Sequence, residues 1–123
     1  MFRQAVPILG VANTAVAEDF YCGHLGFRRA YAYRPDPEKV DPCYMGLVRD
    51  AAHLVVSSFG GDGPPGSRNV QIYVDDVAAI FEEFKGEGVS LLGEILDQTW
   101  GNLEFSLDDP DGNRLIIAQD RGG

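Results

Sequence analysis

Apolar residues recur at helical spacing in one stretch of the second half of the chain. Val77, Ile80, Phe81 and Phe84 fall at i, i+3, i+4 and i+7, which is the pattern of an amphipathic helix with one buried face. Aspartate precedes this run and glycine follows it, as is typical of a helix N-cap and of a helix end. The pattern therefore predicts a helix that packs through this face.

An earlier stretch repeats the same pattern. When residues 11–26 are aligned without a gap on residues 74–89, VANTAVAEDFYCGHLG faces VDDVAAIFEEFKGEGV. Each copy predicts a valine at the end of a strand, an Asn or Asp cap, a helix and an exit near a glycine. In the first copy we expect the buried face at Val16 and Phe20, with Ala15 and Ala17 beside them.

Short extended segments follow each predicted helix. We expect them at about 27–33, 44–49 and 53–59, and again at about 89–96, 103–108 and 114–119. The stretch GGDGPPGS, residues 60–67, can continue neither element type, so it is predicted to link module one, 1–59, to module two, 68–123. The expected fold class is α+β, with tandem βαβββ modules in a single domain, 1–123. They would form a concave mixed sheet with the helices on its outer face.

Alternation along the strands separates two sets of side chains. The apolar set is expected to pack under the helices, and it comprises Leu54, Val56, Val70, Ile72, Val74, Phe105, Leu107, Leu115 and Ile117. The opposite set mixes polar, aromatic and aliphatic groups: His53, Val55, Ser57, Phe59, Asn69, Gln71, Tyr73, Glu104, Ser106, Asp108, Arg114, Ile116 and Ala118. Such a face is either a solvated sheet surface or the wall of a ligand cleft.

Composition narrows the possible functions. The 123 residues include 10 basic and 19 acidic side chains, giving a net charge of −9. This argues against nucleic acid as a partner, because phosphate binding needs clustered Lys and Arg. Excess acid either keeps the surface soluble or attracts a cationic ligand. No long apolar run or signal-type N-terminus is present, so we expect a cytoplasmic protein with no membrane partner.

The tandem order, together with VPILGV and DFYCGHLGF near the start and EFSLDDPDGNRL near the end, resembles the glyoxalase I, bleomycin resistance and extradiol dioxygenase superfamily. This is also called the vicinal oxygen chelate fold. Its enzymes usually hold a divalent metal through His and Glu side chains of four strands. The resemblance puts those positions at Val6, Val55, Asn69 and Ile116. Valine and isoleucine cannot coordinate a metal, and a lone asparagine carbonyl is a weak ligand. We therefore expect no metal, no other cofactor and no catalytic residue.

Within the superfamily, the chain is most similar to the bleomycin resistance proteins, through AVPILGV, DFYCGHLGF, MGLVRDAAHLVVSSF and QTWGNLEFSLDDPDGN. The resemblance implies a homodimer that sequesters an antibiotic, bleomycin-like or otherwise planar and cationic, in crevices at the dimer interface without altering it. It also implies that the N-terminal strand can be exchanged between subunits. The expected partners are thus a small-molecule antibiotic and a second copy of the chain.

The resemblance also suggests ligand-binding residues. Trp100 matches a Trp-Gly position before a strand, and Tyr31 matches an aromatic wall position, with Tyr33 as a weaker companion. Such rings can stack on a planar ligand. The other candidates on the mixed face are His53, Ser57, Phe59, Gln71 and Glu104. Three of them also have a simpler interpretation: Trp100 as a hydrophobic plug, His53 as a surface histidine and Glu104 as a polar wall residue.

Two other functions stay open from the sequence. A metal-dependent lyase, isomerase or dioxygenase is expected if the true ligand positions lie one strand register away from those above. A metal-free enzyme would use Glu104 or His53 as its base. Near-stoichiometric metal in the purified protein would favour the first alternative, and turnover of a ligand would favour the second.

Overall fold

The chain folds into the βαβββ order twice. The structure, a computed structural model, describes residues 1–98 and 101–120. Module one contains β1 (Ile8–Gly10), α1 (Thr14–Gly23), β2 (Arg28–Tyr33), β3 (Tyr44–Arg49) and β4 (Ala52–Ser57). Module two contains β5 (Asn69–Tyr73), α2 (Val77–Gly86), β6 (Leu96–Asp97), β7 (Asn102–Asp108) and β8 (Arg114–Asp120). The predicted α+β class and the tandem repeat are confirmed.

Each module contributes one mixed four-stranded sheet. Sheet one has the order β1-β4-β3-β2 and sheet two the order β5-β8-β7-β6. In each, the first strand of the module pairs in parallel with the last, and the other pairs are antiparallel. Ile8 lies opposite Val55, and Gln71 lies opposite Ile116. The two sheets are therefore built on matching registers, and their positions can be compared one by one.

Both helices begin at the predicted type of cap. The side chain of Asn13 accepts a hydrogen bond from the Val16 amide, and that of Asp76 accepts one from the Ala79 amide, each at 3.1 Å. These bonds satisfy amides that have no partner inside the helix. Each helix has 10 residues, and in the described chain neither is long and apolar enough to cross a membrane.

The buried face of α1 differs from the prediction. Val16 is 49% exposed and Ala15 is exposed as well, whereas Thr14, Ala17 and Tyr21 are buried. These three residues stand at i, i+3 and i+7, so they form a helical stripe of their own. The expectation is confirmed for Ala17 and for Phe20, which packs against the core, and is wrong for Ala15 and Val16. It gave too little weight to Thr14 and Tyr21, whose polar atoms find hydrogen-bond partners inside the protein.

A second correction concerns the segment 89–96, which was expected to be one strand. Only Leu96–Asp97 forms a strand there, paired with β7, and Leu91 makes an isolated bridge to Leu107. Gly93, at φ +83°, turns the chain out of the extended conformation between these two contacts. The segment is therefore a bent connection rather than a continuous strand.

The loop 34–43 is anchored at Asp41. The carboxylate accepts hydrogen bonds from the Thr14 hydroxyl at 2.7 Å and from the Ser58 hydroxyl at 2.6 Å. Burial raises the pKa of Asp41, but the hydrogen bonds from Ser58 and Thr14 outweigh burial and lower the pKa overall. The loop is thereby tied to α1 and to the end of β4.

One hydrophobic core lies between the two sheets and the two helices. The apolar strand positions predicted from alternation face this core: Leu54, Val56, Val70, Phe105, Leu107, Leu115 and Ile117 are buried, and Ile72 and Val74 pack against them. The predicted face of α2 is also confirmed, since Val77, Phe81 and Phe84 are buried. Because both sheets turn the same set of positions to this core, the opposite side of each sheet points away from it. We call that side the open face.

Candidate ligand-binding faces

The open face of sheet one carries a group of aromatic rings. The strand register puts Tyr33 opposite Tyr44 and Tyr31 two residues away on the same side. The rings of Tyr31 and Tyr44 have centroids 6.4 Å apart at an interplanar angle of 23°, and those of Tyr33 and Phe59 are 6.3 Å apart at 11°. We call these four side chains the aromatic surface. Near-parallel rings of this kind can stack on a planar ligand.

Gly46 makes room for one of these rings. It lies opposite Tyr31 in the strand pairing, and a Cβ atom at this position would collide with the Tyr31 ring. The ring therefore covers the β3 backbone at Gly46. Tyr31 is still 52% exposed and Tyr33 59% exposed, so the aromatic surface is open to solvent in the single chain.

Ser57 lies at the end of the aromatic surface, opposite Tyr44. Its hydroxyl donates a hydrogen bond of 2.6 Å to Asp62 Oδ2, and the residue is only 1% exposed. Ser57 thus holds a carboxylate in place and is itself shielded from solvent in this chain. Burial raises the pKa of the Tyr44 hydroxyl, and the nearby Tyr31 and Asp62 raise it further.

Gln71 and Glu104 lie on the open face of sheet two. Gln71 is exposed and lies opposite Ile116, while Glu104 is half-buried and lies opposite Ala118. The Glu104 carboxylate accepts a hydrogen bond of 3.2 Å from Gln98 Nε2. This face therefore offers an amide and a carboxylate where sheet one offers rings.

The strand pairing of the two modules shows which residue of module two replaces an aromatic residue of module one. Tyr44 pairs with Ser57 on the last strand of module one, and Glu104 pairs with Ala118 on the last strand of module two. Ser57 and Ala118 lie opposite Gly10 and Tyr73, at equivalent places on the first strands. Glu104 therefore occupies in module two the place that Tyr44 occupies in module one.

The predicted ligand residues thus fall into two groups. Tyr31, Tyr33, His53, Ser57 and Phe59 belong to the open side of sheet one, and Gln71 and Glu104 to that of sheet two. His53 is exposed at the start of β4. In the described part of one chain the rings lie on a different sheet from Gln71 and Glu104, whereas His53 and Gln71 line a common groove beside the β3–β4 turn. Trp100 lies outside the described residues.

Sequence reasoning missed two residues. Tyr44 alternates with Met45 and Leu47, which are fully buried, so the sequence YMGLVR does carry a signal for an aromatic on the open face. Asp62 had no such signal. It reaches Ser57 only because the single 3-10 turn Gly60–Asp62 bends the linker back toward the end of β4.

The residues at the superfamily's metal positions do not fit a metal. Val55 and Ile116 occupy matching places on β4 and β8, and neither side chain has a donor atom. Val6 precedes β1, and Asn69 begins β5. Within residues 1–98 and 101–120, no three His, Cys, Asp or Glu side chains are grouped so that they could hold a metal ion.

A groove of about 670 Å³ separates the β3–β4 turn from β5 and α2. Its lining includes the predicted residues His53 and Gln71. At the same junction Arg49 donates two hydrogen bonds to the Glu83 carboxylate, at 2.8 and 2.9 Å. These bonds hold the pKa of Glu83 below its ordinary value, although burial alone would raise it. The pair ties module one to the helix of module two.

A buried polar network makes a second connection between the modules. The Tyr21 hydroxyl donates a hydrogen bond of 2.9 Å to Asp109 Oδ2, and Asn113 Nδ2 donates to the same oxygen and to the Gly10 carbonyl at 2.9 Å each. Burial, followed by the charge of Asp109, raises the pKa of Tyr21. The DPDGN motif is therefore structural, since it joins the turn between β7 and β8 to α1 and β1.

The βαβββ order occurs twice in the chain, and each copy forms one mixed four-stranded sheet. The family model described as the Glyoxalase/Bleomycin resistance protein/Dioxygenase superfamily matches residues 4–117. The chain belongs to this superfamily, and the resemblance predicted from its motifs is confirmed.

Solved structures with the same fold include antibiotic-binding proteins. The chain is 26% identical to TnmS3, an antibiotic binding protein from Streptomyces sp. CB03234, with a TM-score of 0.73 and 98% of each chain covered. It is also 26% identical to a glyoxalase/bleomycin resistance protein from Streptomyces sp. CB03234, with a TM-score of 0.78 over 95% of this chain and 100% of the other. A bleomycin-binding protein solved with bleomycin shares the fold at 24% identity, with a TM-score of 0.76 over 97% and 99%. No curated protein matches the chain.

Proposed function

We propose that this protein is a cytoplasmic, metal-independent binding protein that gives antibiotic resistance by sequestering a bleomycin-like or other planar cationic drug. The observation that carries the proposal is the aromatic surface, in which Tyr31 and Tyr33 are about half exposed and each lies nearly parallel to a second ring. Stacking on such rings contributes about 0.5–1.5 kcal/mol beyond area burial. The similarity to an antibiotic binding protein over 98% of the chain supports the same ligand class.

In this proposal the ligand lies between two subunits of a homodimer. Within one chain both open faces point away from the shared core, and all six residues of β2 are exposed. Tyr73 and Leu96 on module two are 59% and 56% exposed. Monomeric soluble proteins rarely leave extended apolar surface uncovered. A dimer in which the open face of sheet one meets that of the partner's sheet two would cover both and enclose two crevices.

Exchange of the N-terminal strand belongs to the same proposal. Residues 1–6 are exposed throughout, including Phe2, and they lead into the short strand β1. Six extended residues span about 20 Å, which is enough to reach a neighbouring subunit. In the described chain β5 is an edge strand that pairs with β8 only, so its other edge can accept a partner strand. Pro7, with no amide hydrogen, suits the crossover point.

The two modules that would form the proposed crevice differ in their net charge. Residues 1–59 carry six basic and six acidic side chains, whereas residues 68–123 carry four basic and twelve acidic ones. The rings of one subunit would therefore meet the acidic module of its partner, with Glu104 and Gln71 as polar contacts. A negative crevice also raises the association rate of a cationic ligand.

Mixed dimers test this arrangement. Tyr31→Ala removes part of the ring surface, and Glu104→Gln removes the carboxylate from the other half. If each crevice uses two chains, a dimer of one variant with the other contains one intact crevice and one crevice with both changes. In calorimetric titrations with metal-free bleomycin, we expect one wild-type-affinity site per mixed dimer and weaker binding in each variant homodimer. Tyr31→Phe, which keeps the ring, is the matched control.

Three outcomes would overturn parts of the proposal. A mixed dimer without any wild-type-affinity site would mean that one chain supplies both halves. Recovery of bleomycin with a changed mass after incubation would indicate an enzyme instead of a sequestering protein. Near-stoichiometric metal in the purified protein would contradict metal independence. Trp100 is the only tryptophan, so its fluorescence reports whether this predicted stacking residue responds to the ligand.

A further inference from the structure

The linker turn Gly60–Asp62 brings a carboxylate to the end of the aromatic surface. Ser57, which lies opposite Tyr44, donates a hydrogen bond of 2.6 Å to Asp62 Oδ2. The Asp62 amide donates to the Phe59 carbonyl at 3.1 Å, and the Phe59 amide donates to Ser57 Oγ at 3.2 Å. The Asp62 carboxylate is therefore held by Ser57, and the Asp62 backbone is held by Phe59, whose ring belongs to the aromatic surface.

Asp62 keeps the capacity to bind a further donor. Its second oxygen, Oδ1, accepts no hydrogen bond from the described residues, although an ionised carboxylate has about four acceptor sites. Arg68 packs against Gly63 beside the turn, yet it forms no ion pair with Asp62 in the described chain. Asp62 is half-buried, so a donor bound there would be partly shielded from water.

The Asp62 carboxylate is close enough to Tyr44 to affect its hydroxyl group. Burial is the main cause of the raised pKa of Tyr44, and Tyr31 and Asp62 add to it. A ligand lying on Tyr44 would therefore experience the negative charge of Asp62. A cation on such a ligand is favoured over a neutral group, because opposite charges attract more strongly at a partly desolvated site.

We propose that Asp62 selects the charge of the ligand, by accepting a hydrogen bond from a cationic nitrogen at the edge of a planar ring system stacked on the aromatic surface. This inference rests on the proposed function and narrows its ligand class. The preferred ligand is a planar aromatic cation whose charge lies beside its rings, where module one meets the linker turn. Attraction by the acidic module two then acts on any additional positive group.

Two planar tricyclic dyes of similar size separate charge from stacking. Proflavine is cationic at neutral pH and acridone is neutral, and both are fluorescent. We expect the wild-type protein to bind proflavine about tenfold more tightly than acridone, since a hydrogen bond between charged groups is worth about that factor. Asp62→Asn should remove most of this preference and leave the acridone affinity within about twofold. Asparagine still accepts the Ser57 hydrogen bond, so the turn is kept.

The controls identify the cause of each result. Asp19→Asn removes one negative charge from an exposed position on α1 and should leave both dye affinities within about twofold. Tyr31→Ala should weaken both dyes, because both stack. Equal weakening of the two dyes by Asp62→Asn, or no effect on either, would overturn the assignment of Asp62.

Binding of bleomycin by the wild-type protein keeps the two proposals apart. If the protein binds bleomycin but neither dye, or if Asp62→Asn leaves the proflavine affinity unchanged, the charge-selection role fails while sequestration stands. If the protein binds neither bleomycin nor the dyes, the proposed function fails as well.

Discussion

The hydroxyl group of Tyr21 offers a direct test of the network that joins the modules. Tyr21→Phe deletes the hydrogen bond to Asp109 and keeps the ring, which packs edge-to-face on Phe20 and Phe27 at centroid distances of 5.4 and 5.9 Å. Tyr21 is 0% exposed and Asp109 5% exposed, so water cannot easily replace the lost donor. The carboxylate still accepts three bonds, from Asn113 Nδ2 and from the amides of residues 111 and 113.

The expected loss of unfolding free energy in Tyr21→Phe follows from this geometry. A hydrogen bond to a charged group contributes about 1.5–3 kcal/mol to stability. Because three donors still hold the Asp109 carboxylate, we expect the lower part of this range, about 1.5–2 kcal/mol. For a domain of this length that loss corresponds to a decrease in Tm of about 5–10 °C.

Equilibrium unfolding in urea, followed by circular dichroism, measures the difference in unfolding free energy. Tyr31→Phe and Tyr33→Phe are matched controls, because their side chains are about half exposed, and each should change the free energy by less than about 0.5 kcal/mol. If Tyr21→Phe also cost less than about 0.5 kcal/mol, the network would not be what holds the modules together.

The pH dependence gives an independent check on the same residue. The pKa of Tyr21 is raised above its ordinary value of 10.0, so the folded protein keeps this proton more tightly than the unfolded chain does. This contribution to stability is complete below pH 10.0 and is lost as the pH rises toward the raised pKa. The wild-type protein should therefore lose more stability above pH 10.0 than Tyr21→Phe does.

Three further substitutions test other contacts. Glu83→Gln should cost about 0.5–1 kcal/mol at pH 7 and progressively less as the pH falls below 4.5, as read from urea midpoints, because the lowered pKa of Glu83 gives stability that is lost as the pH falls through that pKa. Asp41→Ala should speed tryptic cleavage after Lys39 several-fold, since it releases the loop from α1 and β4, and an unchanged rate would contradict this anchoring. Gly46→Ala should displace the Tyr31 ring and weaken proflavine binding, as Tyr31→Ala does. When Gly46→Ala is added to a Tyr31→Ala chain, it should cause no further loss of proflavine affinity.

Most of the fold could be predicted because the hydrophobic periods in the strands and in α2 are strong. Alternation identified the strand residues that face the core, and the i, i+3, i+4, i+7 pattern identified the buried face of α2. The two errors have local causes. Tyr21 is buried although it is polar, because Asp109, 88 residues away, accepts its hydrogen bond. Gly93 bends the chain where apolar residues alone suggested a strand.

The candidate site was less accessible to sequence reasoning. Alternation correctly separates the open face from the core side, and it would have identified Tyr44 as well. It could not identify Asp62, because the contact with Ser57 depends on how a linker turn folds back on the sheet. Nor could it show that the rings and the Gln71–Glu104 pair lie on different sheets, since that depends on how the modules share their core.

The two modules are constrained differently on their two sides. The core side has to fill one common interior, so its apolar positions match between modules, and the DPDGN turn must satisfy a buried network. The open face does not share this common interior, although Val55 and Ala118 on it are buried as well. There module one carries Tyr44 where module two carries Glu104. The motifs that identify the superfamily therefore report the fold, while the choice of ligand is encoded by positions that those motifs do not include.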